Sequence, residues 1–204
     1  MIAAERRRMA DLVETLDPGQ LAAPSLCDAW TVKEVVGHLV AAVAASNMAA
    51  LGLLVRSGFN IHKANARLAV RTAARPAGEL AALLREHAEN PFRPPVVGYP
   101  GQLTDLLVHG QDIRRPLGIP DDLDPDRVRV SLDFLVGGRA VGFTPKDRPA
   151  GLRFEATDMD WSWGAGPLVS GTGEALMLAL CGRPVTLPEL SGDGIGELQN
   201  RVGR

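Results

Sequence analysis

The sequence predicts a mainly α fold of the α+β class, a helical bundle followed by a small C-terminal α/β segment. Three observations predict it. Apolar residues recur at helical spacing through most of the first 140 or so positions. Prolines and short polar residues punctuate those stretches where helices begin and end. After Gly142 the period falls to two, with Leu152, Phe154 and Ala156 alternating with Arg153, Glu155 and Thr157. The expected organisation is a bundle over residues 1–142 and a small α/β domain over residues 143–204.

The first helix is expected over residues 2–16, with Met9, Leu12, Val13 and Leu16 on its apolar face and Asp17-Pro18-Gly19 ending it. A loop leads to Thr31-Val32-Lys33-Glu34, which reads as a capping box: Thr31 is the N-cap and Glu34 reaches back. The helix it opens is nearly all apolar over residues 35–55, interrupted by Gly37, His38, Ser46, Asn47 and Gly52. That length would span a bilayer. Much of it is weakly hydrophobic alanine, polar residues sit mid-span, and no second span exists, so a central bundle helix is the expectation. Asn60 caps a further helix to about residue 70, and Pro76 opens one over 77–90. Pro100 opens another over 101–115, stopped by Pro116 and Gly118, and Asp124-Pro125 begins one running to about 140. Beyond the first strand, Asp158-Met159-Asp160 is a turn, Trp161-Ser162-Trp163 alternates as a second strand, and 166–170 supplies a third. Residues 174–181 read as a helix ended by Gly182, followed by a short piece at Thr186-Leu187 and a small tail.

The composition is that of a globular protein: 204 residues, 46% hydrophobic and 23% charged. Basic and acidic residues number 22 and 24, a net charge of −2, so there is no basic field to capture nucleic acid. Cys27 and Cys181 stand far apart without a CxxC spacing, which disfavours a disulfide framework or a cysteine-built metal site. The N-terminal stretch with Glu5, Arg6, Arg7 and Arg8 lacks the apolar core of a signal peptide. A cytoplasmic location is expected.

Four histidines carry the candidate chemistry: His38, His62, His87 and His109. Asp105 and His109 are four apart on one predicted helix, so they share a face about 6 Å apart along its axis. Two such ligands can chelate one metal. A third ligand from another helix would complete a three-protein-ligand site and leave one coordination position open, the catalytic pattern. An Asp–His pair at this spacing also forms as a simple surface hydrogen bond, and a histidine in an apolar helix also serves as a satisfied core residue. Asp112 is a competing ligand, or a partner that orients His109 through its other ring nitrogen, or a surface carboxylate. His62 and His87 lack partners on a matching face. Trp30 reads as a staple ahead of the capped helix, Trp161 and Trp163 as core or cleft lining, and Cys27 as structural.

The run Cys27-Asp28-Ala29-Trp30-Thr31-Val32-Lys33-Glu34-Val35-Val36-Gly37-His38-Leu39 resembles the N-terminal signature of the mycothiol-dependent maleylpyruvate isomerase family, part of the wider DinB-like bundle superfamily. Asp105-Leu106-Leu107-Val108-His109-Gly110-Gln111-Asp112 resembles its second signature, an acid-x-x-x-His-Gly-x-Asp stretch. Residues 171–175, 180–183 and 190–194 are similar to its closing α/β segment. The resemblance implies a DinB-like four-helix-type bundle holding one divalent metal, usually zinc, on His38, Asp105 and His109. The family commonly has glutamate where this chain has Asp105. The resemblance also implies mycothiol as thiol cofactor or cosubstrate: the thiol adds to an activated cis double bond, rotation follows, and elimination gives the trans isomer. Related members resemble S-transferases acting on electrophiles.

Arg183 matches an arginine of the closing segment, and its guanidinium suits a substrate or cofactor carboxylate. It equally suits the last carbonyls of a helix. Arg114 and Arg115 are weaker candidates because they sit at a helix stop. The implied protein is an isomerase or S-transferase whose partners are a small-molecule electrophile and a thiol, with no nucleic acid and no membrane; a homodimer is compatible with it. The alternative is a non-catalytic bundle that binds a metal or ligand, and a hydrolase using metal-bound water is a third.

Overall fold

The computed structural model describes residues 1–27, 30–44, 61–91 and 96–202. Its helices and strands follow in order: α1 (Ile2–Thr15), α2 (Pro18–Ala22), α3 (Val32–Ala44), α4 (Ile61–Ala73), α5 (Ala77–Glu86), α6 (Gly98–Arg114), α7 (Pro125–Val136), β1 (Arg153–Ala156), β2 (Ser162–Gly164), β3 (Leu168–Gly171), α8 (Gly173–Leu180), a 3-10 helix (Pro184–Glu189) and α9 (Ile195–Val202). The chain is mainly α, as the sequence predicts. No helix among the described residues is long and apolar enough to cross a membrane. The apolar run expected over 35–55 is described only as far as Ala44; its remainder, the Asn60 cap and the His62 side chain lie outside the described residues.

Contacts divide the chain into two compact units, Met1–Phe92 with Asp105–Asp121, and Arg93–Thr104 with Asp122–Arg204. The sequence boundary at 142 falls inside the second of these. The reason is that α7 packs on α8, burying Val128, Leu132 and Leu135. The change of period at 142 marks where helix gives way to strand, and the core of the second unit begins earlier.

In the first unit, α1, α3, α5 and α6 share one core built from Met9, Leu12, Val13, Val35, Val36, Leu39, Leu80, Leu84, Leu106 and Ile113. The Thr31–Glu34 capping box forms as expected: Glu34 Oε2 accepts the Thr31 N–H at 2.8 Å, and Thr31 Oγ1 accepts the Glu34 N–H at 3.3 Å. Asp17-Pro18 does more than end α1. Asp17 caps α2, accepting the Gln20 N–H at 2.8 Å, with Pro18 at the first helical position where its missing N–H costs nothing. Helix α5 stops at Glu86, four residues short of expectation. The turn beyond it is held by Arg6, only 2% exposed, whose guanidinium donates to the carbonyls of His87, Ala88 and Asn90 at 3.1, 2.8 and 3.2 Å. Those carbonyls lose a charged donor in Arg6→Ala. Chemical denaturation is expected to show a loss of about 2–4 kcal/mol for that variant.

In the second unit, β1 pairs antiparallel with β2 and parallel with β3, in the order β2-β1-β3. Phe154 faces Trp163 across the β1–β2 pair, their rings 6.4 Å apart. Trp161 is buried beside the sheet and donates its indole N–H to Asp133 at 2.8 Å. Helix α8 is buried along its apolar length. Its last turn is satisfied by Thr144 and Arg148, both donating to the Leu180 carbonyl at 2.8 Å, and Gly182 supplies the positive φ of 85° that follows. Helix α7 ends at Val136, earlier than the expected 140, because Gly137-Gly138 terminates it. The expected small tail is a helix, α9, which buries Leu198 and Val202.

Candidate metal centre

Helix α3 turns Val32, Val35, Val36, Leu39 and Val40 into the first unit's core, and α6 turns Leu106 and Ile113 into the same core. His38 lies at the margin of the apolar face of α3. Asp105 and His109, one turn apart, lie at the margin of the apolar face of α6. Burying the two faces together brings these margins into register.

The result is a convergence of three donors. His38 Nε2 lies 3.4 Å from Asp105 Oδ2, and His109 Nε2 lies 3.5 Å from Asp105 Oδ1. The imidazole centroids are 5.0 Å apart, edge to face at 74°. One ligand atom from each residue falls within 4.8 Å of the other two. Bonds of about 2.0–2.1 Å in a tetrahedral zinc site separate neighbouring donors by about 3.3–3.4 Å. The two spacings at Asp105 match that value. The aspartate therefore spans both imidazoles without the extra methylene of glutamate.

Asp112 belongs to the opposite side of His109. Its carboxylate is fully buried, and Oδ2 lies 2.8 Å from His109 Nδ1. A carboxylate only accepts, so Nδ1 carries a hydrogen, and in the neutral ring Nε2 is then the acceptor that faces Asp105. Two acceptors then face one another at 3.5 Å, an arrangement that a cation between them relieves. Asp112 thus meets the ring nitrogen turned away from Asp105, where an orienting carboxylate would stand, and it also forms a second close group of donor atoms with His109 and Cys27.

Two neighbours were not legible as site residues. Trp30, half-buried, lays its ring against both imidazoles, 5.2 Å from His38 and 6.2 Å from His109. Cys27 places its Sγ 3.1 Å from Asp112 Oδ2. In the sequence both read as structural, because a loop residue's neighbours depend on the whole fold. The nearby signal was their place just before the capped helix that carries His38. Arg183 belongs to the second unit, where it donates to the Cys181 carbonyl at 2.7 Å, as a helix-end arginine does. The carbonyl of His87 accepts from Arg6.

Burial opposes a charge on His38. The Asp105 carboxylate, by its charge and its hydrogen bond, outweighs that and holds His38 above its ordinary value. A histidine raised in this way stabilises the fold below its unfolded pKa of about 6.5, and that stabilisation disappears as pH rises through the folded value. The metal-free protein is therefore expected to lose part of its stability as pH rises above about 6.5. Thermal melts in chelator across that range should show the loss in wild type and not in His38→Gln.

Residues 2–93 match the family described as the mycothiol maleylpyruvate isomerase N-terminal domain. His38 lies within the matched segment, and Asp105 and His109 lie beyond it. Two crystal structures are similar to the chain. One is a histidine-to-alanine mutant of the mycothiol-dependent maleylpyruvate isomerase, 14% identical, covering 95% of this chain and 93% of that one, with a TM-score of 0.55. The other is the mycothiol-dependent maleylpyruvate isomerase, 16% identical, with the same coverage and a TM-score of 0.47. The first shows a shared fold. No curated protein matches the chain.

Proposed function

We propose, from the match of residues 2–93 to the mycothiol maleylpyruvate isomerase N-terminal domain family, that the protein is a metal-dependent enzyme that uses mycothiol to isomerise a small electrophile across a cis double bond. The observation that carries the reading is the pair of donor spacings at Asp105, 3.4 and 3.5 Å, with one imidazole on each oxygen. Isomerisation is preferred over S-transfer because the family that residues 2–93 match is described by an isomerase's N-terminal domain.

The chain's own residues have defined parts in this reading. His38 and His109 act as neutral nitrogen ligands, and Asp105 supplies the anionic one. Asp112 fixes the ring of His109 so that Nε2 faces the other two donors. Trp30 covers the imidazole pair and keeps water from that side. Three protein donors are one fewer than a closed structural site has, which leaves room for substrate chemistry. When bound, a divalent ion, zinc foremost, supplies a positive charge that keeps a thiol ionised at neutral pH.

The test follows cis–trans isomerisation of maleylpyruvate by purified protein, with and without mycothiol and with and without chelator. Turnover that needs both thiol and metal supports the proposal. Turnover of an ester panel without thiol would indicate a hydrolase, and metal uptake with no turnover of any electrophile would indicate the non-catalytic binder.

A further inference from the structure

Cys27 carries a half-buried thiol, outside any disulfide, that the proposed mechanism does not use. Its Sγ lies 3.1 Å from Asp112 Oδ2, the oxygen that also accepts the His109 Nδ1–H at 2.8 Å. Sγ stands a further 3.7 Å from Nδ1 itself. Asp112 is wholly buried, so water does not readily replace a donor lost there.

The backbone around Cys27 is tied to the same carboxylate-bearing residue. The Leu26 N–H donates to the Asp112 carbonyl at 3.0 Å. Ser25 Oγ accepts the Cys27 N–H at 3.1 Å, and the Ser25 hydroxyl donates to the Trp30 carbonyl at 2.8 Å. The Trp30 N–H in turn donates to the Cys27 carbonyl at 2.8 Å. These hydrogen bonds among Ser25, Leu26, Cys27, Trp30 and Asp112 place the thiol at Asp112 and the indole at the two imidazoles.

We propose that Cys27 is a positioning residue for the metal centre. Its S–H donates to Asp112 Oδ2 and holds the carboxylate in the orientation that keeps the proton of His109 on Nδ1, so that Nε2 is free to ligate. A thiolate here would stand 3.1 Å from a carboxylate, and like charges at that distance repel, which argues against a nucleophilic role. The consequence for metal affinity rests on the metal-dependent reading above; the consequence for the tautomer does not.

The experiment compares wild type, Cys27→Ser and Cys27→Ala. Nitrogen-15 NMR of the metal-free proteins reads the His109 tautomer, and chelator competition reads the cobalt(II) dissociation constant. Wild type and Cys27→Ser, which keeps a donor, are expected to hold the Nδ1–H form. Cys27→Ala is expected to populate the Nε2–H form and to bind cobalt about tenfold or more weakly, with Cys27→Ser within a few-fold of wild type. An unchanged tautomer in Cys27→Ala overturns the proposal. So does a sulfur-to-cobalt charge-transfer band in wild type that Cys27→Ala abolishes, because Cys27 would then be a ligand. A tautomer shift in a protein that takes up no cobalt supports the positioning role and refutes the metal-dependent function.

Discussion

His109→Ala is expected to abolish stoichiometric binding of a divalent metal. The imidazole contributes one of three converging donors, and its loss leaves His38 and Asp105 alone, 3.4 Å apart. Removing one of three ligands is expected to weaken binding by roughly 10³-fold, about 4 kcal/mol of the roughly 10–16 kcal/mol typical of well-formed zinc sites. Asp112→Asn tests the same site from behind. An amide that turns its NH2 towards Nδ1 favours the wrong tautomer, and a loss of about 10–100-fold is expected. Elemental analysis after chelator-free purification, followed by chelator competition, measures both. The ordering His109→Ala worse than Asp112→Asn is what distinguishes a ligand from the group that orients it.

Gly37→Ala is expected to be the most damaging small substitution in the first unit. A Cβ on Gly37 would sit 2.5 Å from the Ala69 carbonyl oxygen, 2.8 Å from the Ala73 nitrogen and 2.9 Å from the Ala73 Cβ. Two of these three are backbone atoms of α4, which cannot rotate away as a side chain can. Either α3 or α4 must shift, and overpacking of this kind costs typically about 1–3 kcal/mol or more. Gly37 immediately precedes His38, so a shift of α3 also moves a proposed ligand. Chemical denaturation should show the destabilisation. Metal titration of the variant under native conditions should show weakened binding even where the protein remains folded.

The sequence made parts of this legible for stated physical reasons. Asp105 and His109 could be placed together because a helix puts residues four apart on one face. Their partnership with His38 is long-range, and no spacing rule reports it; the family resemblance named that partner before the geometry brought it within reach. Asp112 was ambiguous because a residue three positions after His109 lies on nearly the same face, and only the ring's orientation decides which nitrogen it meets. At Cys27 and Trp30 the local signal is no more than their place ahead of the capped helix, since their roles arise from hydrogen bonds to α6 and among Ser25, Cys27 and Trp30. The final helix was missed because its apolar face consists mainly of Leu198 and Val202, and Gly192, Gly194 and Gly196 around its start suppress helical propensity. The early ends of α5 and α7 carry another lesson. Gly137-Gly138 was a visible stop, whereas the turn after α5 is held by Arg6, some eighty residues away in sequence.

The central claim is that His38, Asp105 and His109 hold one divalent cation between them. Anomalous diffraction from crystals of the zinc-loaded protein, collected on both sides of the metal absorption edge, tests it most directly. The account predicts one peak bonded at about 2.0–2.2 Å to Nε2 of His38, Nε2 of His109 and a carboxylate oxygen of Asp105. A peak on Cys27 Sγ and Asp112 instead, or no peak near the two imidazoles, would contradict it.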